Sequence, residues 1–501
     1  MPQSPSQSQT LGRHLFTATD QQDYGRLSGD HNPMHIDAMA ARRLLSGRLV
    51  VHGMHTATLL LERWLAHGGH VPATLRCDFS QPINVGDELV MAAEGTRPVC
   101  LLARVGDLPC TILRLDDEAP PVTALDTGGE DFSSLAAPLA HPPASWFERC
   151  GRVRLSDGDG ASMFPHLQLR LGGEAARALA ALSYIVGMVC PGLHSIFSSF
   201  ELRWGTGDEL NFRVDKVDPR FRLVSVTFTG ALNGSFRAFV RPEPQRQATM
   251  DELAPLISPQ AFSNTRSLIV GGSRGLGELT AKMVCAGGGE VTITYAQGAE
   301  DAERVAVEVA TAGRGTCRTR RFVAGESQPD ELLETLPVDA LFYFATSRIA
   351  RRSAQGFDLG LFNDFFAIYA TGFNDLASWL AAAQPARKAR LFYPSSVYVS
   401  DRPRGMTEYA MAKAAAEVLV AELARTFRSL EFVCERLPRM STDQTATLLP
   451  VATAPNVETM LPLVHRMLAR GDVAIPAAPA AAAATQATVA ALPSGDRGVA
   501  P

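Results

Sequence analysis

Cysteine is sparse in this chain and never clustered. The eight cysteines, at 77, 100, 110, 150, 190, 285, 317 and 434, form neither a CxxC pair nor a metal-ligand spacing. This argues against a disulfide framework or a cysteine zinc site and predicts the reduced, buried thiols of a cytosolic protein. Long apolar runs are also missing. No uncharged stretch reaches membrane-spanning length, and the polar start MPQSPSQSQT has no apolar signal region. The expected location is the cytoplasm, with no membrane partner. Positive charge is not in excess: 47 Lys and Arg face 52 Asp and Glu, a net of −5. There is no electrostatic case for nucleic acid. What is present, 46% hydrophobic and 20% charged residues in 501, predicts a soluble globular chain of several domains.

The pattern along the chain divides it. Residues 1–10 read as a mobile polar leader. Residues 11–115 combine a buried helix near Val50–Trp64 with β-type runs at Thr74–Phe79 and Glu88–Ala93 around an Asn84–Asp87 turn. The Asp-, Pro-, Gly- and Ala-rich stretch Asp116–Pro143 reads as a linker. Residues 145–242 repeat the architecture: a helix over Ala175–Val189, a break at Cys190-Pro191-Gly192, then strands at His194–Trp204, Glu209–Val217, Phe221–Thr229 and Gly234–Val240. We read this as an internal duplication with diverged residues. Residues 265–475 alternate short β-branched runs with helical stretches, as in a parallel α/β sheet. The Ala/Pro-rich tail, 476–501, is expected to be disordered.

Two clusters carry chemistry. In the first, Ser28-Gly29-Asp30-His31-Asn32-Pro33-Met34-His35, the proline pushes Asn32 out of helical geometry, so a short loop can hold Asp30 beside His35. A carboxylate and an imidazole can activate one water, one group removing a proton and the other donating one. Gly53, opening the buried helix, offers an unpartnered backbone N–H to a thioester carbonyl whose charge grows in the transition state. Taken alone, the DxNP run reads equally well as an Asx-turn and helix cap. With GRLVVHGM (residues 47–54) and then RCDFSQPINVGDEL (residues 76–89) following, residues 15–95 resemble the MaoC-like, (R)-specific enoyl-CoA hydratase family of hot-dog domains. The resemblance implies an acid/base role for Asp30 and His35, an oxyanion donor at Gly53, a loop shaped by Asn32 and Pro33, and support from His52. It gives Arg76, Phe79, Pro82, Gly86 and Asp87 structural roles. The segment 145–242 has Met163-Phe164-Pro165-His166 without the preceding Asp-x-Asn-Pro and resembles a hot dog lacking the catalytic loop. Tyr184, Cys190 and His194 read there as core residues.

In the second cluster, the strand Leu268–Val270 runs into Gly271-Gly272-Ser273-Arg274-Gly275-Leu276-Gly277 and then a helix, the arrangement that brings backbone N–H groups to a pyrophosphate. The next strand ends Thr294-Tyr295-Ala296-Gln297, with no carboxylate for a ribose 2′-hydroxyl, whereas Arg274 could pair with a 2′-phosphate; NADP(H) is the expected cofactor. Tyr409 and Lys413 share a helix face at i, i+4, and Ser396 lies 13 residues before the tyrosine. A nearby ammonium would lower the phenol's pKa. YxxxK alone also fits an ordinary amphipathic helix. The combination over 265–445 resembles the short-chain dehydrogenase/reductase family, which implies that Tyr409 moves the proton, Lys413 assists and binds the nicotinamide ribose, and Ser396 orients the substrate. The resemblance also places Ser273, Gly275, Leu276, Gly277 and Tyr295 at the cofactor, and Arg436–Pro438 with Ser441-Thr442 beside the nicotinamide. Departures are Val270 for the family threonine, Phe344–Ser347 for its asparagine-rich turn, and Tyr369 in place of the helix asparagine.

The fold expected is an α+β double hot-dog N-terminal half followed by an α/β Rossmann-like doubly wound parallel sheet. The function expected is reduction of 3-oxoacyl thioesters and dehydration of the 3-hydroxyacyl product, on CoA or an acyl carrier protein, in an oligomer by analogy with both families. Two alternatives stay open: a degradative hydratase plus 3-hydroxyacyl-CoA dehydrogenase, and a non-catalytic acyl-binding component of a synthase.

Overall fold

The computed structural model describes residues 8–44, 46–96, 98–118, 125, 129–140, 145, 149–349, 356–447 and 451–469. Its first part runs β1 (Ser8–Leu15), α1 (Ala18–Ser28), α2 (Pro33–Ile36), α3 (Ala38–Arg42), α4 (Gly53–Ala66), β2 (Thr74–Phe79), β3 (Glu88–Glu94), β4 (Val99–Val105) and β5 (Leu108–Asp116). Alternation sets the inner face: Leu89, Met91 and Ala93 of β3 are buried while Glu88, Ala92 and Glu94 are not. The second part runs β6 (Glu130–Asp131), β7 (Cys150–Arg154), α5 (Pro165–Leu171), α6 (Gly173–Tyr184) with a π-helical turn over Ile185–Val189, then β8 (Ser195–Trp204), β9 (Glu209–Asp218), β10 (Leu223–Gly230) and β11 (Leu232–Val240).

Among the described residues these strands form one sheet, ordered β1-β3-β4-β5-β2-β8-β11-β10-β9-β7-β6. Each half has the same topology: the strand after the central helix takes the inner edge, and the next three fold back toward the strand before the helix. The halves join through antiparallel pairing of β2 with β8, Cys77 opposite Phe200. The central helices α4 and α6 pack on each other against this sheet, in one core shared by both halves. Both halves therefore share one strand order.

Several expectations need correction. Residues 8–10, read as leader, pair with Glu94, Ala93 and Ala92 of β3. The long helix starts at Gly53, because the Val51 N–H is held by the Ile83 carbonyl and the His52 N–H by the Gln21 side chain, which keeps that stretch extended. The second helix changes to π geometry after Tyr184. Residues 129–140, read as linker, are packed: Phe132 is buried, and Leu139 donates its N–H to the Met188 carbonyl and accepts from the Leu193 N–H. The expected disordered tail, 476–501, lies outside the described residues.

The last part runs α7 (Met250–Leu253), β12 (Arg266–Val270), α8 (Gly275–Ala286), β13 (Glu290–Tyr295), α9 (Ala299–Ala312), β14 (Thr316–Arg321), β15 (Ala340–Tyr343), α10 (Leu359–Phe366), α11 (Gly372–Ala383), β16 (Ala389–Ser396), α12 (Tyr398–Asp401), α13 (Thr407–Thr426), β17 (Leu430–Leu437) and α14 (Asn456–Leu468). The parallel sheet is ordered β14-β13-β12-β15-β16-β17, so the order reverses between β12 and β15. In such sheets ligands bind at the carboxyl ends of the strands beside that reversal.

Candidate functional site

The Asp30–His35 loop is set by local chemistry. Gly29 ends α1 in the left-handed region, φ 72°, and turns the chain inward. Asn32 caps α2 and Pro33 occupies its first turn, and His35 in that turn comes within 4.8 Å of the Asp30 carboxylate. The Asn32 side chain also donates to the carbonyls of Gly187 (3.0 Å) and Gly192 (3.2 Å), tying the loop to the second half of the sheet.

Both candidate groups are buried, Asp30 1% and His35 8% exposed. The His35 Nδ1–H donates to the Val50 carbonyl at 2.6 Å, which leaves Nε2 with its lone pair. His52 stacks on His35 with ring centroids 3.8 Å apart, and its Nε2 lies 4.0 Å from Asp30 Oδ2. Asp30 accepts from the Asn32 N–H at 3.1 Å and from the Ser183 hydroxyl at 2.8 Å. Burial raises the Asp30 pKa, opposed by His35, Ser183 and Asn32; burial lowers that of His35, opposed by Asp30 and the Val50 carbonyl. A neutral imidazole with a free nitrogen beside a buried carboxyl is an acid/base pair.

Asp30, His35 and His52 offer ligand atoms all within 4.8 Å of one another. His35 Nδ1 already faces Val50, and the His52 nitrogens face the Gln21 amide oxygen (2.9 Å) and the Asp30 carbonyl (3.2 Å). That leaves two free donor groups, short of the three protein ligands of a catalytic zinc.

Gly53 is the first residue of α4, so its N–H has no partner within the helix. A Cβ there would press on the Phe79 ring at 3.2 Å. Phe79 packs against Phe197 (5.1 Å) and Phe200 (6.1 Å) across the β2–β8 seam, so the wall beside Gly53 comes from both halves. Sequence reasoning missed Ser183, Gly187 and Gln21. A Cβ on Gly187 would overlap the Asp30 carboxylate. The available signal was a polar and a glycine residue, four apart, on an otherwise apolar helix. Tyr184 is packing, as expected: its hydroxyl accepts from the Leu135 N–H at 2.9 Å.

In the parallel-sheet domain, the glycine cradle is tight. Gly271 has φ +82°, and a Cβ on it would meet Phe344 and Ala345 at 2.8 Å. A Cβ on Gly277 would overlap the Gly271 carbonyl. The Gly271 N–H donates to Thr294 Oγ1 at 3.1 Å and the Gly272 N–H to the Thr294 carbonyl at 2.9 Å. This shapes the loop and leaves the first N–H groups of α8, from Gly275 to Gly277, without helical partners and available to a diphosphate. Ser273 is buried in the loop, Tyr295 ends β13, and Thr442 lies 3.8 Å from a Cβ on Gly275. The residues fit a dinucleotide. Arg274 turns to the Arg42 carbonyl and to Asp443 (3.8 Å).

Ser396 and Tyr409 meet, and Lys413 follows one turn later on α13, with one correction. Burial pushes the Tyr409 phenol up to about 12, and the group drawing it back is the Ser396 hydroxyl rather than the lysine. The Lys413 ammonium donates to the Pro394 carbonyl at 2.7 Å and lies 4.0 and 4.7 Å from the ring centroids of Tyr369 and Tyr393. Burial lowers its pKa to about 7, opposed by Cys434 and Glu417, and the two ring faces and the carbonyl also favour its charge. Tyr369 is buried and bonds Thr346 Oγ1 at 2.6 Å, so an aromatic platform stands where the resemblance implies an asparagine. Arg436 is held by Glu417 at 2.7 Å.

Comparison with known proteins matches residues 3–99 to the MaoC like domain and residues 266–434 to the short chain dehydrogenase family. The chain is 34% identical over 84 residues to the (R)-specific enoyl-CoA hydratase of Aeromonas caviae, covering 16% of this chain and 63% of that protein. It is 31% identical over 77 residues to a mitochondrial 3-hydroxyacyl-[acyl-carrier-protein] dehydratase of Arabidopsis thaliana, covering 15% of this chain and 46% of that protein. The chain thus spans less than two thirds of either relative. A 3-oxoacyl-[acyl-carrier protein] reductase of Brucella melitensis is similar in structure, with 17% identity, a TM-score of 0.37, and coverage of 46% of this chain and 91% of that one. Among the described residues no helix is long and apolar enough to cross a membrane.

Proposed function

From a chain that joins a MaoC-like dehydratase domain to a short-chain dehydrogenase domain, we propose a bifunctional enzyme acting on the β-carbon of acyl thioesters. It reduces a 3-oxoacyl thioester with NADPH and dehydrates the 3-hydroxyacyl product. The observation that carries this reading is the buried Asp30–His35 pair, with its free His35 nitrogen. The A. caviae and A. thaliana relatives act on an enoyl-CoA and a 3-hydroxyacyl carrier-protein thioester by name, which supports a thioester substrate here.

In dehydration, one member of the pair takes the α-proton. The other gives a proton to the departing β-hydroxyl, so a trans-2-enoyl thioester and water leave. The N–H of Gly53 faces the thioester oxygen and stabilises the charge it gains. Hydration is the same path reversed.

In the reductase domain, a nicotinamide dinucleotide held on the glycine cradle supplies hydride chemistry when bound. With its pKa near 12, Tyr409 stays protonated at neutral pH and donates to the oxygen of the developing alcohol. Ser396 orients that oxygen. The two steps share an intermediate, and one chain keeps it at high local concentration.

The test is a coupled assay on the full chain. Asp30→Asn should lower 2-enoyl thioester hydration by about 10²–10⁴-fold, the usual reach of acid/base catalysis. Tyr409→Phe should abolish 3-oxoacyl-dependent NADPH oxidation and leave hydration intact. Hydration unaffected by Asp30→Asn would refute the first assignment. One observation favours a second reading, a structural reductase domain: Lys413 is engaged by Pro394 and two tyrosine rings. Binding of the nicotinamide nucleotide without turnover of any 3-oxoacyl thioester would support it.

A further inference from the structure

The end of α3 reaches from the first half of the chain to the dinucleotide cradle. Arg43 Nη2 pairs with Asp301 of α9 at 2.6 Å. Arg274, in the glycine loop, donates to the Arg42 backbone carbonyl. A Cβ on Gly298, the cap of α9, would overlap the Arg42 guanidinium. Farther along, Arg348, after β15, donates to the Ser46 carbonyl. Arg42 therefore sits between the two loops that bracket an adenosine ribose in this sheet type, the glycine loop and the turn after β13.

Its guanidinium is poorly satisfied. Only 15% of the side chain is exposed, yet its nearest carboxylate oxygen, on Asp301, is 3.6 Å away, too far for a hydrogen bond. Among the described residues, its hydrogen-bond acceptor is the Met39 sulfur at 3.8 Å, a weak one. Three guanidiniums, on Arg42, Arg43 and Arg274, face two carboxylates, on Asp301 and Asp443. One positive charge is left over. Burial, then repulsion from Arg274, lowers the Arg42 pKa, as expected for crowded cations lacking an anion. Asp301, in the first turn of α9 beyond β13, is already paired with Arg43, so it is a poor partner for a ribose 2′-hydroxyl.

We propose that Arg42 and Arg43, supplied by the hot-dog half, complete the cofactor site of the reductase half by binding the 2′-phosphate of NADP(H) together with Arg274. The inference rests on the dinucleotide reading above and adds that the selectivity for the phosphate lies partly outside the reductase domain. A dianionic phosphate would neutralise the surplus charge and give the Arg42 guanidinium the oxygen acceptors it lacks.

The experiment titrates NADPH and NADH into the full-length chain, following nicotinamide fluorescence and calorimetric heat. Wild type should bind NADPH at least about tenfold tighter than NADH. Arg42→Ala and Arg43→Ala should each weaken NADPH by about tenfold, as for loss of one charge-assisted hydrogen bond, and leave NADH within about twofold. Should Arg42→Ala misfold by thermal melting, the more exposed Arg43 carries the test. NADPH affinity unchanged in the folded variants, or NADH weakened as much as NADPH, overturns the proposal while the dinucleotide reading stands. Wild type that binds neither nucleotide overturns the dinucleotide reading itself.

Discussion

Asp30 is held where water barely reaches, and Ser183 is one of the groups that keep its ionised form accessible. On the proposed function Ser183 acts through Asp30, as a positioning residue. Removing its hydroxyl in Ser183→Ala should push the Asp30 pKa further up. The acid limb of the hydration profile should then move to higher pH, with kcat down about tenfold and KM little changed, and Ser183→Thr should restore both. An unshifted pH profile would reduce Ser183 to packing. The neighbouring histidines bear on stability. Burial pushes His55 down to about 3, and His35 and His52 are lowered by the same cause. A depressed pKa means that the unfolded chain binds more protons below about 6.5. The stability from His55 is therefore complete above that pH and is lost as pH falls toward 3. The slope is up to about 1.4 kcal/mol per pH unit for each such group. His55→Gln should flatten the acid side of a urea-midpoint against pH curve relative to wild type; parallel curves would contradict a neutral buried His55.

At the scale of elements, the π-helical turn Ile185–Val189 brings the Gly187 backbone onto the Asp30–His35 loop. Gly187→Ala puts a methyl into the Asp30 carboxylate. It should abolish hydration and destabilise the N-terminal half by about 1–3 kcal/mol, as overpacking does. Nucleotide binding should survive, measured on the same sample; loss of both would mean the damage is global. Most elements were legible because their apolar spacing has one period. The runs Thr74–Phe79 and Glu209–Val217 alternate, and α4 is apolar on nearly every face. The Asp30–His35 loop was legible because Gly29, Asn32 and Pro33 each restrict the backbone in a known way. What failed to show has physical reasons. The edge strand β14, TCRTRR, carries three arginines and no apolar stripe. The packed stretch 129–140 is Gly-, Ser- and Pro-containing sequence whose order comes from Tyr184, Met188 and Leu193, far along the chain. Ser183 over Asp30 and Arg43 on Asp301 are contacts across 153 and 258 positions, which no local pattern encodes.

For the whole molecule, the seam between β2 and β8 decides what the first half can do alone. A polypeptide ending at Asp116 would expose the β2 edge and uncover Asp30 by removing Ser183 and Gly187. Exposed strand edges recruit other strands. The fragment should associate or aggregate in size-exclusion chromatography and show no hydration. A monomeric, active fragment would show that the second half is dispensable to the site.

The mirrored strand order has a consequence for stoichiometry. Two copies of a fold are present, yet the sequence holds one Asp-x-Asn-Pro loop, and the second half covers its carboxylate with Ser183 and Gly187. On the proposed function, one acid/base pair accompanies each dinucleotide cradle in this sequence, a ratio that the size of an assembly cannot alter.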